Sequence, residues 1–173
     1  MSQAANYFAV ETLRNGRRLE IRALRPDDRA DMLAAVNRAS AQSLARRFFV
    51  PKRRLTQQEI EFFLDVDFVN HVALVATCEE GGQQVIAGGG RYVVSQPRLA
   101  ELAFVVVDQY QGQGIGAVLL RHLATLARDA GVKEFTAEVL PDNAAMLKVF
   151  EKSGLQPRLK RAPGEVHVTL QLN

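Results

Sequence analysis

One stretch constrains this chain more than any other. From Glu101 it reads Glu-Leu-Ala-Phe-Val-Val-Val-Asp-Gln-Tyr-Gln-Gly-Gln-Gly-Ile-Gly, reaching Gly116, and it runs on through Ala-Val-Leu-Leu-Arg-His-Leu-Ala-Thr-Leu-Ala-Arg to Arg128. The apolar, β-branched run predicts a buried strand that begins at Glu101. Apolar residues at Ile115, Leu119, Leu123, Leu126 and Ala130 predict a helix, which Gly131 stops. Gly112, Gly114 and Gly116 therefore sit where a strand hands over to a helix. The first N–H groups of a helix have no intrahelical partner, and the macrodipole adds partial positive charge there. Without Cβ atoms, a phosphate approaches such a backbone closely. A tight turn that binds nothing does not need three glycines in five residues.

Two phosphate-binding readings fit the turn. Gly112-x-Gly114-x-x-Ala117 satisfies the dinucleotide pattern, with Glu138 near the distance expected of a ribose-binding acid. Only 57 residues follow Gly116, however, too few for the further βα units of a dinucleotide fold. The alternative is Gln111-x-x-Gly114-x-Gly116, which resembles motif A of the GNAT acyltransferases, the cradle for the pyrophosphate of acetyl-coenzyme A. A second string, Asn143-x-x-Met146-x-x-Val149-Phe150-Glu151-Lys152-x-Gly154-Leu155, resembles another GNAT signature. Leu19 to Asp28, Arg47-Phe48-Phe49 and Leu55-Thr56 resemble the N-terminal part of the GNAT domain in bacterial protein-lysine acetyltransferases. Together these cover most of residues 18–171, so the chain is expected to be one GNAT domain over 1–173 with its core at about 18–171.

The resemblance implies an α/β fold, a mixed and mostly antiparallel sheet flanked by helices, with acetyl-CoA as co-substrate. It implies that Phe104, Val105 and Val106 meet the pantetheine arm through their backbone. It assigns Gln111, Gly112, Gln113, Gly114, Ile115, Gly116 and Ala117 to the pyrophosphate, and Asn143 and Phe150 to the coenzyme.

Along the rest of the chain, residues 1–16 read as a soft start ending in a turn at Asn15-Gly16. Leu19, Ile21 and Ala23 alternate with charged residues as in a strand. Pro26-Asp27-Asp28 opens a helix with an apolar face at Met32, Leu33 and Val36. A short helix is expected at Leu44 to Phe49, and Thr56-Gln57-Gln58-Glu59 has capping-box spacing for another through Leu64. Strands follow at Val72–Thr77 and Gln84–Val94, the latter containing Gly88-Gly89-Gly90, then at Lys133–Leu140. A helix from Ala144 to Lys152 and a closing hairpin around Val166–Leu170 complete the chain.

Acyl transfer to an amine requires a neutral nitrogen. A lysine amine has a pKa of about 10.4, so a base is needed near neutrality. Glu101 matches the base of the lysine acetyltransferases that the chain resembles, and Glu138 matches that of GNATs acting on protein N-termini. On a strand, Glu101 shares a face with Ala103, Val105 and Val107, which predicts partial desolvation of its carboxylate. Many GNATs carry a tyrosine where this chain has Phe150, which has no proton for the leaving thiolate; water, Tyr110 or Tyr92 would take its place.

The implied function is N-acetyl transfer to an amine acceptor, with a protein lysine favoured over a small amine or a protein N-terminus. The alternative is a non-catalytic CoA-binding sensor or interaction module. A net charge of +3 and a pI of about 9.3 are mild, so a nucleic-acid partner is not expected without a clustered patch. The basic group Arg46, Arg47, Lys52, Arg53 and Arg54 reads as a solvated face, or as a seat for an acidic substrate or the ribose 3′-phosphate. No apolar run is long enough to span a bilayer and no signal peptide is read, so no membrane partner and a cytoplasmic setting are expected. The single cysteine, Cys78, reads as a small buried hydrophobe. His71, His122 and His167 are scattered without metal-ligand spacing, so no metal is expected, and the oligomeric state is not specified.

Overall fold

A computed structural model describes residues 3–31, 58, 61 and 65–172. The apolar face expected at Met32, Leu33 and Val36, the helix expected at Leu44–Phe49, the capping residues Thr56 and Glu59 and the basic group at 46–54 lie outside the described residues; Gln58 and Glu61, within the helix expected through Leu64, are helical. The described chain forms one sheet of eight strands. These are β1 (Phe8–Thr12), β2 (Arg18–Ala23), β3 (His71–Glu80), β4 (Gln83–Gln96), β5 (Leu99–Val106), β6 (Glu134–Val139), β7 (Arg158–Ala162) and β8 (Glu165–Gln171). Their order is β1-β2-β3-β4-β5-β6-β8-β7, and every neighbouring pair is antiparallel except β5 with β6.

Among the described residues two α-helices are seen from end to end. The first, α1 (Ile115–Asp129), buries Ile115, Leu119, Leu123 and Leu126 as the periodicity predicts. It ends one residue earlier than expected, and Ala130 is exposed. Gly131 follows with φ +87°, its N–H bonding Arg128 O while Val132 N–H bonds Ala127 O. This pair of bonds is a Schellman stop. The second helix, α2 (Ala144–Glu151), is capped by Asn143, whose side-chain oxygen accepts from Met146 N at 3.2 Å.

The soft start is a strand instead. Phe8 to Thr12 pairs with Arg22 to Arg18, and the hairpin closes through Leu13 N–H to Arg17 O with Gly16 at φ +85°. Phe8 and Val10 are exposed, so no buried stripe announced β1 in the sequence. At Pro26–Asp28 the chain makes one 3₁₀ turn and passes into helix at residues 29–31.

The glycines in β4 serve close approach. A Cβ on Gly90 would lie 2.7 Å from the Phe104 ring and 2.9 Å from Leu123, and one on Gly88 would lie 2.9 Å from Val105 O. The β3–β4 register also shifts by one residue, between Ala76 and Thr77. Between β3 and β4, Gly81 and Gly82 both take positive φ, the requirement of a type I′ turn. Beneath the sheet, Tyr92, Phe135, Phe150, Leu119 and Leu123 are fully buried.

Candidate active site

The site is made by a ladder that stops early. β5 and β6 pair only as Leu99↔Glu134, Ala100↔Phe135 and Glu101↔Thr136, although β5 runs on to Val106 and β6 to Val139. Past Glu101 the strands splay, and a cleft of about 1500 Å³ opens between them and extends over the glycine turn to α2. The alternation of the ladder decides which backbone groups face it. Val107 N–H bonds Ala87 O on β4, and Lys133 N–H bonds Arg98 O from the β6 side. Odd-numbered residues of β5 therefore point their peptide groups at β4, and even-numbered ones at β6. Leu102, Phe104 and Val106 present backbone groups to the splay. Val105 turns its own toward Gly89, so it reaches the cleft by side chain and not by backbone, and Leu102 takes the place in this row that was expected of Val105.

The glycine turn follows at once. A 3₁₀ turn (Asp108–Tyr110) is anchored by Tyr110, whose hydroxyl donates to Glu80 at 2.9 Å and whose ring lies under the Arg17 guanidinium. Gln111 turns its amide back to Val106 O at 3.0 Å, bracing the loop against the end of β5. Gln113 accepts from Asn15 at 3.1 Å, tying the turn to the β1–β2 hairpin. Gly112 and Gly114 have φ of +78° and +91°, and a Cβ on either would meet nothing within 4 Å. The turn is thus open on its outer side, where an anion needs room. Gly114 is the N-cap of α1 and offers no side-chain cap, so the N–H groups of Ile115, Gly116 and Ala117 are left for a ligand. Only the backbone of Ile115 is open to the turn, since its side chain is in the core. A Cβ on Gly116 would meet Met146 and Val149 only at ordinary van der Waals distances of 3.7 and 3.9 Å.

Asn143 and Phe150 come to the same cleft on α2. With its oxygen committed to the helix cap, Asn143 has its amide N–H₂ available. Phe150 is buried, with its ring 6.4 Å from that of Phe104. Neither of the two tyrosines expected in its place turns its hydroxyl proton to the cleft. Tyr92 does not line the cleft and is buried against Phe135, and burial pushes its hydroxyl up to about 12. Tyr110 is also pushed up to about 12, by burial and by its bond to Glu80, which turns the proton away from the cleft. Sequence reasoning missed the cationic rim, to which Arg14, Lys148 and Lys152 contribute. Only the fold brings the β1–β2 turn and α2 to one opening.

Both candidate bases line the cleft. Glu101 is the third residue of β5, not its first, and occupies the last rung of the parallel ladder opposite Thr136. It is exposed, so the expected desolvation does not occur: the apolar neighbours on its face do not cover it. Glu138 lies two residues beyond that rung on β6, and its carboxylate is bonded by Nδ1 of His167, its cross-strand partner on β8. The other histidines are elsewhere. His122 lies between Tyr7 and Glu11 and ties α1 to β1. His71 is buried, with Nε2 2.7 Å from an Arg91 nitrogen; burial and that guanidinium push it down to about 4. Cys78 is buried as expected, with the Arg17 guanidinium 3.6 Å from its sulfur. Among the described residues no group of three or more His, Cys, Asp or Glu could hold a metal ion, and no helix is long and apolar enough to cross a membrane.

The open turn tests the phosphate reading on the molecule itself. Gly114→Val should raise the acetyl-CoA dissociation constant at least tenfold, about 1.4 kcal/mol, because the side chain projects into the turn's open side. A branched residue at φ +91° is also strained, so a drop in melting temperature is expected alongside. Calorimetric titration of the folded variant separates the two effects. A lower melting temperature with unchanged affinity would make the glycine purely structural.

Known proteins share this arrangement. The profile of the Acetyltransferase (GNAT) family matches residues 38–155. The acetyltransferase Pat of Mycolicibacterium smegmatis is 35% identical over 144 residues, covering 82% of this chain and 42% of that protein. This chain thus spans about two-fifths of that relative's length. The solved GNAT domain of S. lividans PAT superposes with a TM-score of 0.85 at 33% identity, over 95% of this chain and 96% of that one. The structure of yncA from Salmonella typhimurium, solved with its cofactor acetyl-CoA, shares the fold with a TM-score of 0.71 at 20% identity, over 90% of this chain and 94% of that one. A sheet that splays at its one parallel pair, the open glycine turn and the family match together place this chain in the GNAT family of acetyltransferases.

Proposed function

We propose that this chain transfers the acetyl group of acetyl-CoA to the side-chain amine of a protein lysine, with Glu101 as general base. The observation that carries this reading is the ordering of the cleft. The anion-binding turn stands at the open end of the β5–β6 splay, and Glu101 stands where the two strands rejoin, with a row of β5 peptide groups between them. A pyrophosphate on the turn sends an extended thioester along that row, and the acetyl group arrives near the last rung. Donors in the row polarise the carbonyl as negative charge develops on its oxygen. The amine nitrogen attacks the carbonyl carbon and gives a proton to Glu101, and the sulfur leaves with the C–S bond electrons. Proximity along one strand supplies much of the advantage, because the reacting atoms are held rather than recruited from solution. Likeness to M. smegmatis Pat and to the S. lividans PAT domain favours a protein acceptor.

An acceptor panel tests the proposal. With acetyl-CoA, a lysine peptide blocked at its N-terminus should release CoA thiol faster than a peptide whose only amine is the N-terminus, and faster than a small diamine. Mass spectrometry should place the acetyl group on the lysine. Preference for the N-terminal peptide would reassign the acceptor. Tight acetyl-CoA binding with no transfer to any amine would favour the coenzyme-binding module.

A further inference from the structure

The reaction sheds two protons from the acceptor nitrogen. An ammonium loses one to become a nucleophile, and the nitrogen loses another when the C–N bond forms. Glu101 supplies one acceptor. We propose, resting on the acetyl-transfer reading above, that the Glu138–His167 pair supplies the other: Nε2 of His167, held by Glu138, takes the proton of the incoming ammonium.

Cross-strand register sets the pair. Glu138 on β6 faces His167 on β8, and both side chains leave the same face of the sheet. That face is polar, whereas Phe135, Ala137, Val139, Val166, Val168 and Leu170 on the opposite face are all buried. Both partners line the cleft, and each side chain is 40% exposed. The Glu138 carboxylate bonds Nδ1, which fixes that nitrogen as the N–H and leaves Nε2 with its lone pair, the arrangement a proton acceptor needs. Imidazole is the side chain whose ordinary titration range lies closest to neutrality, so it accepts a proton and passes it on to water without a large barrier. The carboxylate also draws a cationic acceptor to the spot. Lys160 on β7 stands opposite His167 in register, Glu165 and Thr169 lie two residues away along β8, and Glu101 stands across the splay.

The proton balance is complete. The ammonium N–H bond breaks toward Nε2, leaving a neutral amine and an imidazolium that faces Glu138, and the imidazolium returns its proton to water. The amine then attacks, and the second proton goes to Glu101. In this division Glu138 is a positioning residue and His167 a catalytic one.

The two roles separate by acceptor and by pH. His167→Gln should lower kcat/KM for a lysine peptide at pH 7 by roughly 10²-fold. The deficit should shrink as pH approaches the amine's own value of about 10.4. It should nearly vanish with the same peptide carrying an aminooxy group, neutral at pH 7, in place of the lysine ammonium. Glu138→Gln should show the same pattern more weakly, and acetyl-CoA affinity should not move in either variant. A deficit that is constant across pH and acceptors would overturn the proposal and make the pair structural. So would a severe loss in Glu138→Gln with a normal His167→Gln, which would make Glu138 the direct base. A wild-type protein that transfers acetyl to neither peptide would instead overturn the acetyl-transfer reading itself.

Discussion

Glu101→Gln should lower kcat for acetyl transfer by roughly 10²–10⁴-fold, the usual worth of a general base, and leave the acetyl-CoA dissociation constant nearly unchanged. The substitution keeps the shape of the side chain and removes its ability to hold a proton. Glu101 is exposed on the last rung of the β5–β6 ladder, so no packing is disturbed and the melting temperature should stay within about 1–2 °C, as for a surface change. The carboxylate takes the proton released during bond formation, so the deficit should persist with an acceptor already neutral at pH 7. Steady-state kinetics with the lysine and aminooxy peptides measure both. Full activity in Glu101→Gln would remove this residue from the mechanism and leave the His167 pair as the proton acceptor.

The largest effect on stability is expected at Asp28. Asp28 is 4% exposed, and its carboxylate forms a two-pronged bond with Arg22, at 2.7 and 2.8 Å, while also accepting from Arg25 N–H at 2.7 Å. Removing one member of a buried pair strands the other charge, at a cost of about 3–5 kcal/mol. Asp28→Ala should therefore lower the melting temperature by roughly 2–4 °C for each kcal/mol lost. The Asp28→Leu, Arg22→Met double variant should recover much of the loss, because no charge is then left unpaired. The pair also sets an acid limit. Burial raises the Asp28 carboxyl, but the bonds from Arg22 and Arg25 outweigh it, and the net direction is down. A carboxyl lowered on folding adds stability that is complete above its unfolded value of about 3.9 and is lost as pH falls through the lower folded value. The gap between wild type and Asp28→Ala should narrow in that range, as thermal melts between neutral and strongly acid pH will show. An unchanged gap would mean that Asp28 acts as a turn cap alone.

The glycine turn was legible because its causes are local. Gly112 and Gly114 take positive φ, Gly131 closes the helix, and the apolar period of α1 lies in consecutive residues. Features set by strand register were not legible. Nothing in the residues around Glu101 says that the ladder stops there. An expectation of free peptide groups at 104–106 therefore lacks the alternation that excludes Val105 and adds Leu102. His167 looks isolated in the sequence because its partner, Glu138, is 29 residues away and meets it only through the β6–β8 register. Strand β1 escapes a sequence reading because its large apolar residues, Phe8 and Val10, fall on the exposed positions and Glu11 on a half-buried one, so polarity does not follow the alternation in exposure. The expected desolvation of Glu101 failed for a related reason: apolar neighbours on one strand face do not say whether anything lies over that face.

The early stop of the β5–β6 ladder also has a mechanical side. Five strands stand on one side of it and three on the other, joined by three residue pairs, so the sheet is a two-leaved plate with a short spine. Glu101 and Thr136 form the end of that spine. Val106 lies five residues further out, about 16 Å along the strand at roughly 3.3 Å per residue. If the leaves rock by about 5°, the tip near Val106 moves by about 1.4 Å, from the same strand rise, and the residue at the fulcrum hardly moves. Such a rocking would change the width of the open end and leave the carboxylate in place relative to β6.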